Sequence, residues 1–409
     1  MNEQLVVKNF GPIEDATVDF KRVTVFIGPT GGGKSTLAKL AAIFNEGSTL
    51  KENADFAQLL TNYGISGYRR EGYGIDLLNA SGRKISVSED SIKYDDNTIS
   101  TLEEGWNNYL KDLERPLLPP SYTSFVKNFP EEDTDEAIAA LSKAWEALLK
   151  QQYFKGLMLL KFRVHYIPAE RLLVSTLNAS WPALISAKVD FPKTLLDFAA
   201  AYLKAGSEIK EMDVHFLSTS YTHENERGFI TSGSIDKIAI TEAASGIQSV
   251  VPMLLILERF SQDIENPQSF IIEEPELNLY PTAQRDLVYT MLEKCTQGKN
   301  DLTITTHSPY VLSALNLALY ANKVATSFPH QRKKVAKLLP EKYWLKADEF
   351  SAYFVAKGGA KTIFDTKTGL LSESQLDEVS GEFADVFDQL TDLRVPEKKA
   401  PAKVKSVKK

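Results

Sequence analysis

The sequence predicts an α/β protein: a sheet flanked by helices, with an antiparallel β subdomain at the N-terminal end and a mostly helical inserted lobe. Three observations predict it. Apolar runs at 23–27 (VTVFI), 269–272 (SFII) and 302–305 (LTIT) each end in polar residues, as buried strands of an open sheet do. The first run leads through a glycine-rich stretch into the pattern Leu37, Leu40, Ala41, Phe44, which fits one face of a helix. The first twenty residues hold two further apolar runs around Gly11-Pro12, the pattern of a hairpin.

With 409 residues the chain is long enough for two or three domains and a sizeable core. Its net charge of −7 argues against a main surface that grips nucleic acid, although a local basic groove can hide in that average. Cys295 is the single cysteine, so no internal disulfide forms and a structural zinc site is disfavoured. No run of eighteen apolar residues and no signal-peptide pattern is present, so a cytoplasmic protein without a membrane span is expected.

Along the chain, 1–47 is expected to form the first part of the core and 48–160 the inserted lobe. That lobe should hold a hairpin around Ser81-Gly82 and helices near 101–113 and 134–160. The core should resume over 161–318, with helix around 194–210, hairpin strands over 228–246 and an apolar helix from 247. A mixed α/β part follows over 319–395. The tail 396–409 is rich in lysine, lacks apolar clusters and is expected to be disordered, either as a solubilising end or as a contact for an acidic partner or nucleic acid.

Gly28-Pro29-Thr30-Gly31-Gly32-Gly33-Lys34-Ser35 fits G-x-x-x-x-G-K-[ST] in full, between an apolar strand and a helix. Glycines let successive backbone N–H groups converge, and the helix N-terminus adds its positive end, so phosphate oxygens are held there. Lys34 should reach the β- and γ-phosphates of ATP, and the Ser35 hydroxyl should ligate Mg²⁺. These residues predict a P-loop nucleotide site.

Such a loop needs an acid at a neighbouring strand end, where ligands of open α/β sheets bind. Glu273 and Glu274 close the run at 269–272. Glu273 should hold Mg²⁺, directly or through water. Glu274 should orient or deprotonate the attacking water. Strand alternation is expected to point the two to opposite sides. His307 ends the next strand, where it should hydrogen-bond either the γ-phosphate or that water. Ser245 should N-cap the apolar helix, with Gly246 and Ile247 at its start. That terminus either merely caps the helix or clamps the γ-phosphate held by a second subunit.

Phosphate loop, Ser-Gly helix start, hydrophobic-Glu-Glu-Pro and Thr-His-Ser occur here in one order. This set resembles the ABC-type ATPase fold in its non-transporter branch, which includes SMC, RecF-like and OLD-family proteins. The opening VKNFGPIEDATVDFKRVTVFIGPTGGGKST, HYIPAER, EEPELNLYP and TTHSPYVL are similar to AAA-type ATPases grouped with the OLD family. The resemblance covers about 1–47 and 162–320. It implies that Gly28 through Thr36 is the Walker A loop and that Ser245, Gly246 and Gln248 form a signature motif acting across a head-to-tail dimer. It further implies Glu273 and Glu274 as Walker B acids, 276–280 as the D-loop and His307 as the switch histidine. ATP would be sandwiched between two chains of a homodimer or higher oligomer.

The pattern is not followed everywhere. Thr30 stands where asparagine is common, Ile247 where transporters carry a second glycine, and Tyr280 where relatives often have His or Asp. Arg171 of IPAER is a candidate for reading the nucleotide state, with a structural ion pair as its alternative. After His307 no Asp-x-Asp pair follows, so no Toprim nuclease is expected in this chain. The resemblance points to a sensor or regulatory ATPase of a bacterial anti-phage complex, acting with a separate nuclease-like effector. The alternative is an SMC- or RecF-like repair ATPase that binds DNA.

Overall fold

The structure is a computed structural model. It describes residues 3–45, 53–79, 84–89, 91–95, 100 and 163–372, leaving aside 178, 179, 188, 226, 234 and 264. The two helices expected near 101–113 and 134–160, the turn at Ser81-Gly82 and the tail 396–409 lie outside the described residues.

The chain opens with β1 (Glu3–Phe10), β2 (Ile13–Phe20) and β3 (Val23–Ile27), followed by α1 (Lys34–Asn45) and α2 (Asn53–Asn62). β1 and β2 form the expected antiparallel hairpin, with Phe10 opposite Ile13. β4 (Arg69–Leu78), β5 (Lys84–Ser88) and β6 (Ile92–Tyr94) come next. They fall at the head of the stretch expected as an inserted lobe, yet β4 pairs with β1 and carries β5 and β6 with it. Leu77 and Ile75 of β4 bury themselves in the same core as Leu5 and Val7 of β1, which is why this strand joins the sheet.

β7 (Arg163–Ile167) re-enters the core, and α3 (Leu172–Thr176), α4 (Trp181–Ser186) and α5 (Lys193–Glu208) follow. β8 (Glu211–Val214), β9 (Thr219–Glu224), β10 (Arg227–Ser232) and β11 (Ile235–Ala239) make a separate antiparallel sheet. Then come α6 (Ser245–Ser261), β12 (Gln268–Glu273), α7 (Pro281–Cys295), β13 (Asp301–Thr306), α8 (Pro309–Ser327) and α9 (Arg332–Leu338). β14 (Phe350–Ala356), β15 (Gly359–Thr362), β16 (Phe364–Asp365) and β17 (Leu370–Leu371) complete the described chain. The largest sheet runs β6-β5-β4-β1-β2-β15-β14-β3-β13-β12-β7.

Five of these strands, β14-β3-β13-β12-β7, are parallel and make up one end of the sheet. Their residues alternate between two cores. Phe270 and Ile272 join one cluster under α5–α8, while Ile271 joins the other with Leu37 and Leu40 of α1. Burial on both faces explains the unbroken apolar runs in the sequence. β14 comes from the C-terminal part, yet it pairs in parallel with β3, between the antiparallel strands and the parallel ones.

Candidate nucleotide site

Three adjacent parallel strands end at the same edge of the sheet. β3 stops at Ile27, β13 at Thr306 and β12 at Glu273, with Thr306 opposite Ile27 and Glu273 opposite Thr305. That register brings together the glycine loop, His307 and the two glutamates, although they are far apart in sequence. The glycine loop, His307 and Glu274 face a cleft of about 560 Å³, lined by Thr30, Gly31, Gly33, Lys34, Ser35, Thr36, Glu274 and His307 together with Gly11, Pro12, Gly67, Tyr68 and Arg70; Glu273 does not line it. This volume suits a nucleotide-sized ligand. Tyr68 and Arg70 were not singled out from the sequence, because GYRRE carries no motif.

The loop turns under the carbonyl of Val355 in β14. A Cβ on Gly28 would sit 2.3 Å from that oxygen, and one on Gly32 2.4 Å from it. Two of the loop's glycines are therefore required by close approach of the C-terminal strand, and Gly28 also has φ +148°. Lys34 Nζ donates to the carbonyls of Gly28 (2.9 Å) and Pro29 (3.0 Å). It also lies 3.2 Å from His307 Nε2. His307 Nε2 is in turn 3.0 Å from Glu274 Oε1. The one ring nitrogen thus faces both groups: it either accepts from Lys34 or donates to Glu274, according to its tautomer. Burial lowers the Lys34 pKa, and Glu274, Glu276 and Glu273 push it back up.

The two glutamates are separated differently from the expectation. β12 ends at Glu273, and Glu274 has φ +42°, a left-handed conformation that is strained for glutamate. Strand alternation therefore does not set the facing of Glu274; a turn does. That turn is pinned by the Glu274 N–H donating to Thr305 O (2.8 Å) and by Leu277 N–H donating to Glu274 O (3.2 Å). Glu273 remains 4% exposed beneath the cleft. Burial first, and then the adjacent Glu273 carboxylate, raise the Tyr166 hydroxyl well above its usual range.

Arg171 makes neither of the contacts weighed for it. It is fully buried, and its guanidinium donates to the backbone carbonyls of Pro168 (3.1 Å), Glu273 (2.7 Å) and Glu274 (2.7 Å). Burial lowers its pKa to about 10, against the pull of Glu276, Glu274, Glu273 and Glu170, so it stays charged near neutrality. Glu276 is a second residue whose part was not foreseen. Its Oε1 accepts from Thr306 Oγ1 (2.6 Å) and from the His307 backbone N–H (2.9 Å). It thereby fixes the strand end from which His307 projects. The Thr-Thr pair before His307 was the sequence signal for this anchor.

Ser245, Gly246 and Gln248 do not line the cleft. The helix begins at Ser245 itself, one residue earlier than expected, and Ala244 occupies the cap position without a side-chain bond. The entry is held instead by Gln248, whose amide donates to Ala243 O (2.7 Å) and Thr241 O (3.1 Å). Its Oε1 accepts from Thr176 Oγ1 (3.1 Å). Ser245 is exposed. A Cβ on Gly246 would meet Asn278 O at 2.7 Å, so glycine is required where this helix start touches the turn after Glu276. Tyr280 is 76% exposed at the start of α7.

Comparison with known proteins decides the family. The AAA ATPase domain family matches residues 77–312, more than half of the chain, and the AAA domain family matches 4–115, including the glycine loop. The chain belongs to the AAA ATPase domain family. No curated protein matches it. Among solved structures, this AAA ATPase domain is similar to the SMC head domain from Thermotoga maritima (10% identity, TM-score 0.38, 89% of this chain and 98% of that one). It is also similar to the Smc head domain with an extended coiled coil bound to the C-terminal domain of ScpA, from Pyrococcus furiosus (11%, TM-score 0.35, 93% and 98%). The recombination mediator RecF is a third (11%, TM-score 0.33, 88% and 98%). The α/β sheet with its glycine loop between β3 and α1 gives this AAA ATPase domain a P-loop NTPase fold.

Proposed function

We propose that the protein is an ATP-binding and ATP-hydrolysing switch. The observation that carries this reading is the meeting of Lys34, His307 and Glu274 at one mouth of the cleft above the glycine loop. ATP binds with its phosphates along the backbone of 28–36, where Lys34 exchanges its loop carbonyls for phosphate oxygens. Glu273 and Ser35 are the residues that hold Mg²⁺. Glu273 suits that role because its Oε1 is buried without a hydrogen-bond partner among the described residues. The ion supplies charge neutralisation on the phosphates.

Glu274 orients the attacking water or takes its proton, and His307 steadies the γ-phosphate or that water. Two such molecules pair head to tail, with Ser245, Gly246 and the exposed first turn of α6 facing the partner's γ-phosphate. That Ser245 and Gly246 lie away from their own chain's cleft suits this arrangement. Hydrolysis at Glu274 then reopens the dimer. At the level of biology we place the protein as the regulatory ATPase of an anti-phage complex with a separate nuclease-like effector. The resemblance of HYIPAER, EEPELNLYP and TTHSPYVL to ATPases grouped with the OLD family supports that placement.

Phosphate release by the purified chain with Mg-ATP, and its loss in Glu274→Gln, tests the reading. Wild-type turnover in that variant would refute it.

A further inference from the structure

Three neighbouring strands each bury a polar atom that has no hydrogen-bond partner among the described residues. These are Tyr166 Oη on β7, Glu273 Oε1 on β12 and Thr305 Oγ1 on β13. Register places the three residues on one face of the sheet. Thr305 stands opposite Glu273, and Tyr166 stands opposite Ile271, two residues before Glu273. Positions two apart on a strand share a face. It is the face packed on α1: Tyr166, Ile271 and Phe26, the β3 partner of Thr305, join the core around Leu37 and Leu40. Neighbouring strands lie about 4.8 Å apart, so Thr305 stands beside the Glu273 side chain. Glu273 is about 6.6 Å further along the sheet than Tyr166, a span that an extended phenol covers. Tyr63 meets the Tyr166 ring edge to face, with centroids 5.4 Å apart and planes at 88°, which fixes the direction of that phenol. Tyr166 is 8% exposed, Glu273 4% and Thr305 1%. Polar groups this deeply buried are satisfied in folded proteins, and here two hydroxyl donors flank one carboxylate acceptor.

We propose that Tyr166 and Thr305 are positioning residues for Glu273: their hydroxyls hold its carboxylate from either side, directly or across one water, in the orientation that takes Mg²⁺. This rests on the reading of Glu273 as a Mg²⁺ residue. A carboxylate offers about four lone-pair sites, so two hydroxyls leave room for the ion. Neither Tyr166 nor Thr305 lines the nucleotide cleft, so each acts on the metal only through Glu273. Burial first, and then the Glu273 carboxylate, keep the Tyr166 hydroxyl protonated and therefore a donor.

The test uses the full chain and needs no turnover. Tyr166→Phe and Thr305→Val each delete a hydroxyl and nearly keep the side-chain shape. Calorimetric titration with a non-hydrolysable ATP analogue, once with Mg²⁺ and once with EDTA, gives the gain in affinity that the metal brings. Each variant should cut that gain by about tenfold, the usual effect of removing a partner of a metal ligand, with affinity in EDTA and melting temperature held. Thr305→Ser keeps the hydroxyl and should restore the gain. Glu273→Gln should abolish it, and adding Tyr166→Phe to Glu273→Gln should cost nothing more, because the two act as one unit. If Tyr166→Phe does not fold, Thr305→Val carries the same test from the other flank. A gain that survives Glu273→Gln, or is missing in the wild type, would sink the Mg²⁺ reading itself and this proposal with it. A gain lost in Glu273→Gln but intact in either hydroxyl variant, or an equal loss of affinity with and without Mg²⁺, would overturn the positioning role alone.

Discussion

The guanidinium of Arg171 donates to the backbone carbonyl of Glu274 at 2.7 Å, and Glu274 itself sits at φ +42°. A glutamate pays a conformational penalty there that neighbouring structure must offset. Arg171 does so from a fully buried position, with two parallel donors on the carbonyls of 273 and 274. Lysine offers a point charge in place of that planar fork. Arg171→Lys should therefore lower ATP turnover by roughly tenfold or more, since a charged hydrogen bond is worth about 1.5–3 kcal/mol. ATP affinity should change far less, because Arg171 does not line the cleft. Steady-state kinetics beside calorimetric ATP titration would separate the two. Equal loss of both would mean that Arg171 only supports the fold.

Glu274→Gln keeps the shape of the side chain and removes its basicity. If Glu274 is the general base, hydrolysis should fall by about 10²-fold or more. The variant should then persist as an ATP-bound dimer. Size-exclusion chromatography with light scattering, with and without Mg-ATP, reads this out. A variant that stays monomeric with ATP and turns over normally would remove Glu274 from the mechanism.

Glu276 is expected to act on His307 through the backbone. Glu276→Ala strips the acceptor from Thr306 Oγ1 and from the His307 N–H, two donors next to a strand end. Unpartnered buried donors cost about 1–3 kcal/mol each. The strand end should loosen, turnover should fall, and Lys34-dependent ATP binding should survive. Lys34→Ala is the complementary control: it should abolish ATP binding by calorimetry while leaving the melting temperature of the nucleotide-free protein nearly unchanged.

Much of this site was legible in the sequence, and the reasons are local. Gly28 to Ser35, the run into Glu273, and His307 each announce themselves within ten residues, because strand end and ligand-bearing loop are contiguous in the chain. What was not legible is set by distant backbone. Nothing near Gly28 shows that Val355 packs against it, and nothing in IPAER shows that Arg171 reaches the carbonyls of 273 and 274. Strand alternation predicts opposed facings for Glu273 and Glu274, whereas β12 ends at Glu273 and a left-handed turn sets Glu274. Likewise β4–β6 read as part of a lobe until β1 supplies the partner edge.

Gly246 offers a test that depends on the dimer. Its missing Cβ would lie 2.7 Å from Asn278 O, and Asn278 also has positive φ, at 62°. Gly246→Ala must push the start of α6 and the 276–280 turn apart by several tenths of an ångström. ATP binding to the isolated chain should persist, since neither segment lines the cleft. ATP-dependent dimerisation should weaken, as measured by sedimentation. Intact dimerisation would separate this contact from the signature role.

At the opposite end of the sheet, two carboxylates have no counterpart in the nucleotide chemistry. Glu3 opens β1 and Asp301 opens β13, where Asp301 accepts from Ser269 Oγ at 2.6 Å. Burial, and for Glu3 then the charge of Asp301, raise both to about 7, from 4.5 and 3.8. The Ser269 hydrogen bond, and after it Arg22, draw Asp301 down, but less than burial lifts it. The folded state therefore keeps protons that the unfolded chain releases near pH 4. Stability from this pair is full below that pH and is lost as pH rises to about 7, the reverse of ordinary acid denaturation. The two sites interact, so the loss belongs to the pair and not to either carboxyl alone. Asp301→Asn retains an acceptor for Ser269 and cannot ionise. Urea unfolding between pH 5 and 8 should show stability falling in the wild type and a flattened slope in Asp301→Asn; identical slopes would exclude the pair as its source.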